Sequence, residues 1–263
     1  MHYIRLTFAF MRLSILGEAA YRVNFFISIL HSLLNFATGV LGLIILFSQV
    51  QTVQGWNLSK SLLLLGVYLV LGALRNLFIG SSLEALAGLG GEIWTGRFDF
   101  TLLRPVNVQF LASCRTWRIF SLFDLVLGLG VLSVSISRVS HEFTPVHLLE
   151  FLIALIVSVV VLYAVLLLLT SLVFLSAGFL FTWIFDSIFQ MARYPVGLYP
   201  NWLRFILTWV IPVGIMTTIP AQAISGELST RVLMASGGLA LVVLVGASYL
   251  FHRGVRHYSS ASS

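Results

Sequence analysis

Leu148–Met191 reads LLEFLIALIVSVVVLYAVLLLLTSLVFLSAGFLFTWIFDSIFQM. A helix that crosses a bilayer needs about 20 apolar residues, each adding about 1.5 Å of rise. At 44 residues the run is too long for one crossing and the right length for two. Its tightest turn candidate is Thr170–Ser171, which predicts spans over 148–169 and 172–191 with almost no loop between them. The same ruler marks spans at 25–48, 61–83, 117–137 and 232–251. Composition agrees. Of the 263 residues, 59% are hydrophobic and 9% are charged, against about 25% charged in a soluble domain, and the mean hydropathy is +1.02. There is too little polar surface to cover a soluble protein of this size. High apolar content also excludes disorder. The reading is an all-α, polytopic membrane protein with six transmembrane helices in one domain, 1–263, with no internal repeat.

Four segments lie outside these spans. Residues 1–23 are apolar but interrupted by Arg5, Arg12, Glu18 and Arg22, and show no secretory cleavage pattern. Arg5 and Arg12 share a helix face, and Glu18 can pair with Arg22 four residues on. This predicts an amphipathic helix on the cytoplasmic surface; the alternative is a cytoplasmic extension of the first span. Residues 84–116 form the longest polar stretch. Residues 192–227 carry Pro195, Pro200, Pro212 and Pro220. Proline breaks helices internally, so this segment reads as two half-helices, re-entrant on the outer side. Residues 252–263 form a tail.

There are 15 Lys+Arg against 9 Asp+Glu, and the positive-inside rule uses this excess to orient the chain. Arg5, Arg12 and Arg22, then Arg97, Arg104, Arg115 and Arg118, then Arg253 and Arg256 all face the cytoplasm if there are six spans and both termini are inside. Arg193 and Arg204 then face outward, against the rule. The tryptophans and tyrosines near span ends, including Trp56, Trp117, Trp202 and Tyr249, form an aromatic belt.

Several chemistries have no support. The sole lysine, Lys60, is not part of a phosphate-binding loop, so ATP hydrolysis is not assigned to this chain. There is no H-E-x-x-H and no G-x-S-x-G, and no catalytic residue or metal site is expected. Cys114 is the sole cysteine and cannot form an internal disulfide. The arginines are scattered, so no nucleic-acid surface is expected. Three charges fall inside spans, where they are costly. Arg75 and Asp124 lie at similar depth and are expected to form a salt bridge; the alternative is that Arg75 snorkels and Asp124 is hydrogen-bonded or protonated. Asp186 is expected to pair locally with Arg193 near the outer interface. His31 reads as a packed intramembrane histidine.

The segment Gly91-Glu92-Ile93-Trp94-Thr95-Gly96-Arg97-Phe98-Asp99-Phe100-Thr101-Leu102-Leu103-Arg104-Pro105-Val106-Asn107 mixes large apolar groups with charge. It reads as a short amphipathic helix, a glycine, and a second turn ending at a proline. Ile93, Trp94, Phe98, Leu102 and Leu103 can lie on the membrane domain or fill a partner's cleft, while Glu92, Arg97, Asp99 and Arg104 supply polar contacts. The stretch resembles the permease subunits of ABC-2 type ABC transporters. It matches their pattern at Ile93, Gly96, Phe98, Asp99, Leu102, Leu103, Arg104, Pro105 and Asn107, with Phe98 where leucine is commoner. A second match runs from Arg193-Tyr194-Pro195 through Tyr199-Pro200 to Pro212 and Pro220.

The resemblance implies more than the residues do alone. It makes 84–116 a coupling segment that docks into a separate ATPase subunit dimer, with ATP and Mg bound in that partner. It implies a second permease chain, the same or a sister. It places an outer gate at Pro195, Pro200, Pro212 and Pro220. The chain would work in a bacterial plasma membrane as an exporter of a hydrophobic or amphiphilic substrate. The competing expectation is a self-sufficient ion-coupled transporter or intramembrane enzyme using Arg75, Asp124 and His31.

Overall fold

A computed structural model describes residues 2–19, 22–139, 144–174 and 181–258. The described residues are helical, apart from turns and one isolated bridge between Val53 and Trp56. The helices are α1 (His2–Ala19), α2 (Arg22–Gln49), α3 (Leu58–Leu74), α4 (Gly80–Ala87), α5 (Phe98–Leu102), α6 (Val108–Cys114), α7 (Ser121–Val139), α8 (Pro145–Val173), α9 (Phe181–Met191), α10 (Asn201–Phe205), α11 (Val213–Ile224) and α12 (Thr230–His257). Asn57 starts α3, its side chain accepting the Lys60 backbone N–H at 2.9 Å, as an N-cap should. A π-helical turn at Arg75–Ile79 joins α3 to α4.

Among the described residues, five helices are long and apolar enough to cross a membrane: Val23–Gln49, Leu58–Ala87, Ser121–Val139, Pro145–Val173 and Thr230–His257. A sixth candidate is a bent pair, Asn201–Val210 with Val213–Ile224, which turns through 90°. α3 is the buried centre, while α2, α7 and α12 leave most of their surface uncovered. α3 and α7 touch almost backbone to backbone. A Cβ at Gly66 would meet the Leu132 Cα at 3.0 Å, and one at Gly128 would meet the Val70 nitrogen at 2.9 Å. Small residues permit this close approach where lipid supplies no hydrophobic drive. α8 packs along α11 and α12.

Two sequence expectations need correction here, and a third lies partly outside the described residues. The turn at Thr170–Ser171 is absent: α8 runs on to Val173, because both hydroxyls donate back to the carbonyls of Leu166 and Leu167, at 2.8 and 2.7 Å, and nothing there breaks the helix. Of the 172–191 span, residues 175–180 lie outside the described set. Residues 172–174 belong to the end of α8 and 181–191 form α9, so that span is described only in part. The third span begins at Ser121, with 117–120 an irregular approach to it.

The molecule has two ends. The proximal end gathers α1, residues 88–120, Phe174 and the close of α12. The distal end gathers residues 50–57, the start of α8 and residues 196–229, tied by the Lys60–Glu227 ion pair and by His147 over Gly226. At the proximal end Ser14 accepts the Trp117 N–H at 3.1 Å. Glu18 accepts the N–H groups of Ile119 and Phe120 at 2.7 and 3.3 Å. Glu18 therefore caps the approach to α7; the Arg22 side chain, expected as its partner, lies outside the described set.

Candidate functional site

The proximal segment is built on two buried anchors. After α4, Gly88 to Arg97 form a chain of turns rather than the helix expected before Gly96, whose φ of +71° is a left-handed backbone that favours glycine. The turns stay attached to α4: Glu92 N–H donates to Ala85 O at 3.1 Å and Ile93 N–H to Leu86 O at 3.0 Å. Ile93 is 4% exposed and Phe98 is fully covered. Burial of such side chains stabilises by about 1.5–3 kcal/mol each. The Phe98 ring lies 5.6 Å from Phe174 and 5.1 Å from Tyr258, and Phe174 lies 5.6 Å from Phe251. This aromatic cluster joins α5 to the ends of α8 and α12.

Glu92 is a strut. Its carboxylate pairs with Arg115 and accepts the Thr101 hydroxyl at 2.6 Å, and Arg115 also donates to Thr101 at 3.2 Å. These bonds tie the turns, α5 and the end of α6 together. The sequence expectation that Glu92 faces a partner is corrected: its acceptors are engaged inside the segment. Arg97 folds back on Thr95 and on the Gly90 carbonyl, at 3.0 and 3.3 Å, yet remains exposed. Asp99 is half-exposed in the first turn of α5. Trp94, Phe100, Leu102, Leu103, Arg104 and Pro105 face outward, with Phe100 69% and Leu103 81% exposed. The segment thus has an apolar, basic-flanked outer edge fixed on a buried root. Asn107 caps α6 by accepting the Phe110 N–H at 3.1 Å. Gln109 then donates to Tyr163 on α8 and Ser248 on α12, at 3.0 and 3.1 Å.

A second constellation lies among the spans. A cavity of about 500 Å³ opens between α2, α3, α7 and α9, lined by His31, Ser32, Asn35, Arg75, Asn76, Asp124, Asp186 and Gln190, with Glu18 and Arg118 on its border. Arg75 and Asp124 share this cavity but are not the ion pair expected from sequence. Arg75 pairs with Asp186 at 2.6 Å and lies over the Phe185 ring at 5.4 Å. The π-helical turn that Arg75 opens, and the short α9, bring those two groups together. Asp124 has Ser32 and His31 as neighbours instead. The expected Asp186–Arg193 pairing is also replaced: Arg193 donates to Asn35 and to Thr38, the latter at 3.3 Å, and lies over Tyr68. Among the described residues no group of three His, Cys, Asp or Glu side chains is placed to hold a metal ion.

The prolines of 192–227 mark boundaries. Pro195 precedes a 3₁₀ turn at Val196–Leu198, Pro200 precedes α10, and Pro212 sits at the bend before α11. Pro220 lies inside α11 and does not end it. α11 is packed against α8 and α3, and such packing is what lets a membrane helix keep an internal proline.

An all-helical bundle of this kind, with an anchored segment at one end and a bent helix pair at the other, defines a multi-pass membrane protein. The chain belongs to the ABC-2 transporter family: the family model described as ABC-2 family transporter protein matches residues 33–262. No curated protein matches the chain. Sequence reading missed Arg115, Phe174, Phe251 and Tyr258 as parts of the proximal site. The aromatics stand at the ends of apolar runs, where they look like belt residues, and only the fold brings them together.

Proposed function

We propose that the chain is the membrane-spanning permease subunit of an ATP-driven ABC-2 exporter, powered by a separate ATPase subunit that docks on residues 94–105. The observation that carries this reading is the exposed edge of Trp94, Phe100 and Leu103, flanked by Arg97 and Arg104 and rooted through Ile93 and Phe98. Large apolar groups held in water on a rigid base are what an interface core requires. ATP and Mg bind in the partner, whose closure pushes this edge. The push reaches α8 and α12 through Phe98, Phe174 and Tyr258. It reaches α3 through α4 and the π-helical turn at Arg75. Two permease chains and two ATPase chains form the working unit in a bacterial plasma membrane, with both termini cytoplasmic and α1 along the inner surface. The bent pair and its prolines serve as the outer gate. A polar cavity within an apolar bundle supports an amphiphilic cargo over a purely hydrophobic one.

A second reading, ion-coupled transport through Arg75, Asp124 and His31, draws on their shared cavity. It requires transport that runs on a proton gradient without any ATPase. The test is purification of the full chain from its native membrane. An ATP-hydrolysing polypeptide should co-elute, and should be lost when Phe100 and Leu103 both become glutamate. A folded wild-type chain that retains no such polypeptide, with its transport abolished by dissipating the proton gradient, overturns the proposal in favour of the second reading.

A further inference from the structure

The distal end holds a groove that neither the cavity nor the docking edge uses. It has a volume of about 630 Å³, within the range of lipid- and drug-sized sites. Three helix faces converge on it. The helix through α10 presents Arg204, Phe205 and Trp209; α11 presents Thr218; α12 presents Ala235. On each helix the groove-facing positions recur at helical spacing, so the groove is a consequence of the 90° bend rather than of a single misplaced side chain.

Its chemistry is lopsided. The walls are mainly apolar and aromatic, and no carboxylate lines them. Arg204 is exposed, and its guanidinium has no hydrogen-bond or ion-pair partner among the described residues. It also stands at the end of the molecule where an arginine breaks the positive-inside pattern. Arg193, the other arginine that breaks the pattern, has both terminal nitrogens engaged, with Thr38 and Asn35, and lies over Tyr68. Thr218 lines the groove, and its hydroxyl oxygen is covered and has no hydrogen-bond partner among the described residues. Trp202, Phe205 and Trp209 are each at least 60% exposed beside it, as aromatics are at the headgroup level of a bilayer.

We propose that this groove binds one anionic phospholipid from the distal leaflet. The phosphate sits on Arg204, and an acyl chain fills the apolar trough under Trp209 and Phe205. A free phosphate would use Arg204 and leave the apolar walls empty, so the occupant is a lipid. A second copy of this chain would have to bring a carboxylate to Arg204; Glu227 at this end is paired with Lys60, which leaves Glu150 on α8, and crosslinking from position 205 reads that occupant.

Native mass spectrometry of the full chain, exchanged into micelles doped with phosphatidylglycerol or phosphatidylcholine, tests this. The wild type should retain one phosphatidylglycerol about tenfold more strongly than phosphatidylcholine, the effect of one charge-assisted contact. Arg204→Gln should abolish that preference while leaving the melting temperature unchanged. Ala235→Trp, which fills the trough from an exposed position, should reduce retention of both lipids. A photocrosslinker at position 205 should label lipid. Equal retention of the two lipids by the wild type, an unchanged preference in Arg204→Gln, or crosslinking of position 205 to a second copy of the chain would each overturn the proposal.

Discussion

The proximal segment and the intramembrane cavity each centre on an arginine–carboxylate pair, and the two pairs work in different surroundings. Glu92 and Arg115 lie 23 residues apart, with Thr101 bonded to both. They brace a short stretch of turns so that its outer edge keeps one shape. Arg75 and Asp186 belong to different helical elements and meet across a cavity that also holds Asp124, His31 and Asn76. The first pair shapes a surface. The second joins α9 to the π-helical turn that Arg75 opens, a kind of turn frequent at functional sites. The contrast is between a pair that braces an exposed edge and a pair set in a polar cavity.

The contrast can be broken most forcefully at the outer edge. Replacing Phe100 and Leu103 by glutamate should cut retention of the ATPase by about tenfold or more, as removal of interface anchors does, with little change in melting temperature because both are exposed. Next comes the strut. Glu92→Gln or Arg115→Met should each destabilise the segment by about 1–3 kcal/mol. The double variant should cost little more than the worse single one, which a double-mutant cycle on thermal unfolding reads directly. Independent additive losses would dissolve the strut.

Within the cavity the effects should be smaller and unequal. Asp186→Asn removes the partner of a largely covered Arg75. It should lower stability by about 1–2 kcal/mol, less than the loss for a fully buried pair because Asp186 is 41% exposed. Asp124→Asn should be nearly silent in stability and should alter transport. Equal losses from both would restore the Arg75–Asp124 pairing expected from sequence.

The smallest effect is at Glu18. Burial pushes its carboxyl above the ordinary value of 4.5, against the lowering effect of the Ile119 and Phe120 N–H groups and of Arg118. The folded chain then holds more protons than the unfolded one between 4.5 and the raised value, so stability falls as pH rises through that window. Glu18→Gln should flatten that slope in melts recorded across mildly acid pH.

Much of the architecture was legible because a crossing helix is written locally, as an uninterrupted apolar stretch. The break after α8 was not, because Thr170 and Ser171 look like turn residues yet bond back into the helix. The proximal segment was legible as a unit, since Gly91–Asn107 carries its own pattern. The division of labour inside it was hidden: Glu92 and Arg97 look alike in sequence, and only the position of Arg115 turns Glu92 inward. Arg75 presented two carboxylates at plausible depths. The choice of Asp186 depends on the π-helical turn and on where α9 lies, neither of which is encoded in spacing.

The central claim is that the outward edge of the proximal segment, on its buried root, is the docking surface for an ATPase. A photocrosslinking amino acid placed at Leu103 and, separately, at Ile93 tests it in the native membrane. Leu103 should yield a crosslink to a polypeptide with a phosphate-binding loop, and Ile93 should yield crosslinks within the chain itself. A Leu103 probe that labels lipid or its own chain, with no nucleotide-binding partner, would contradict it.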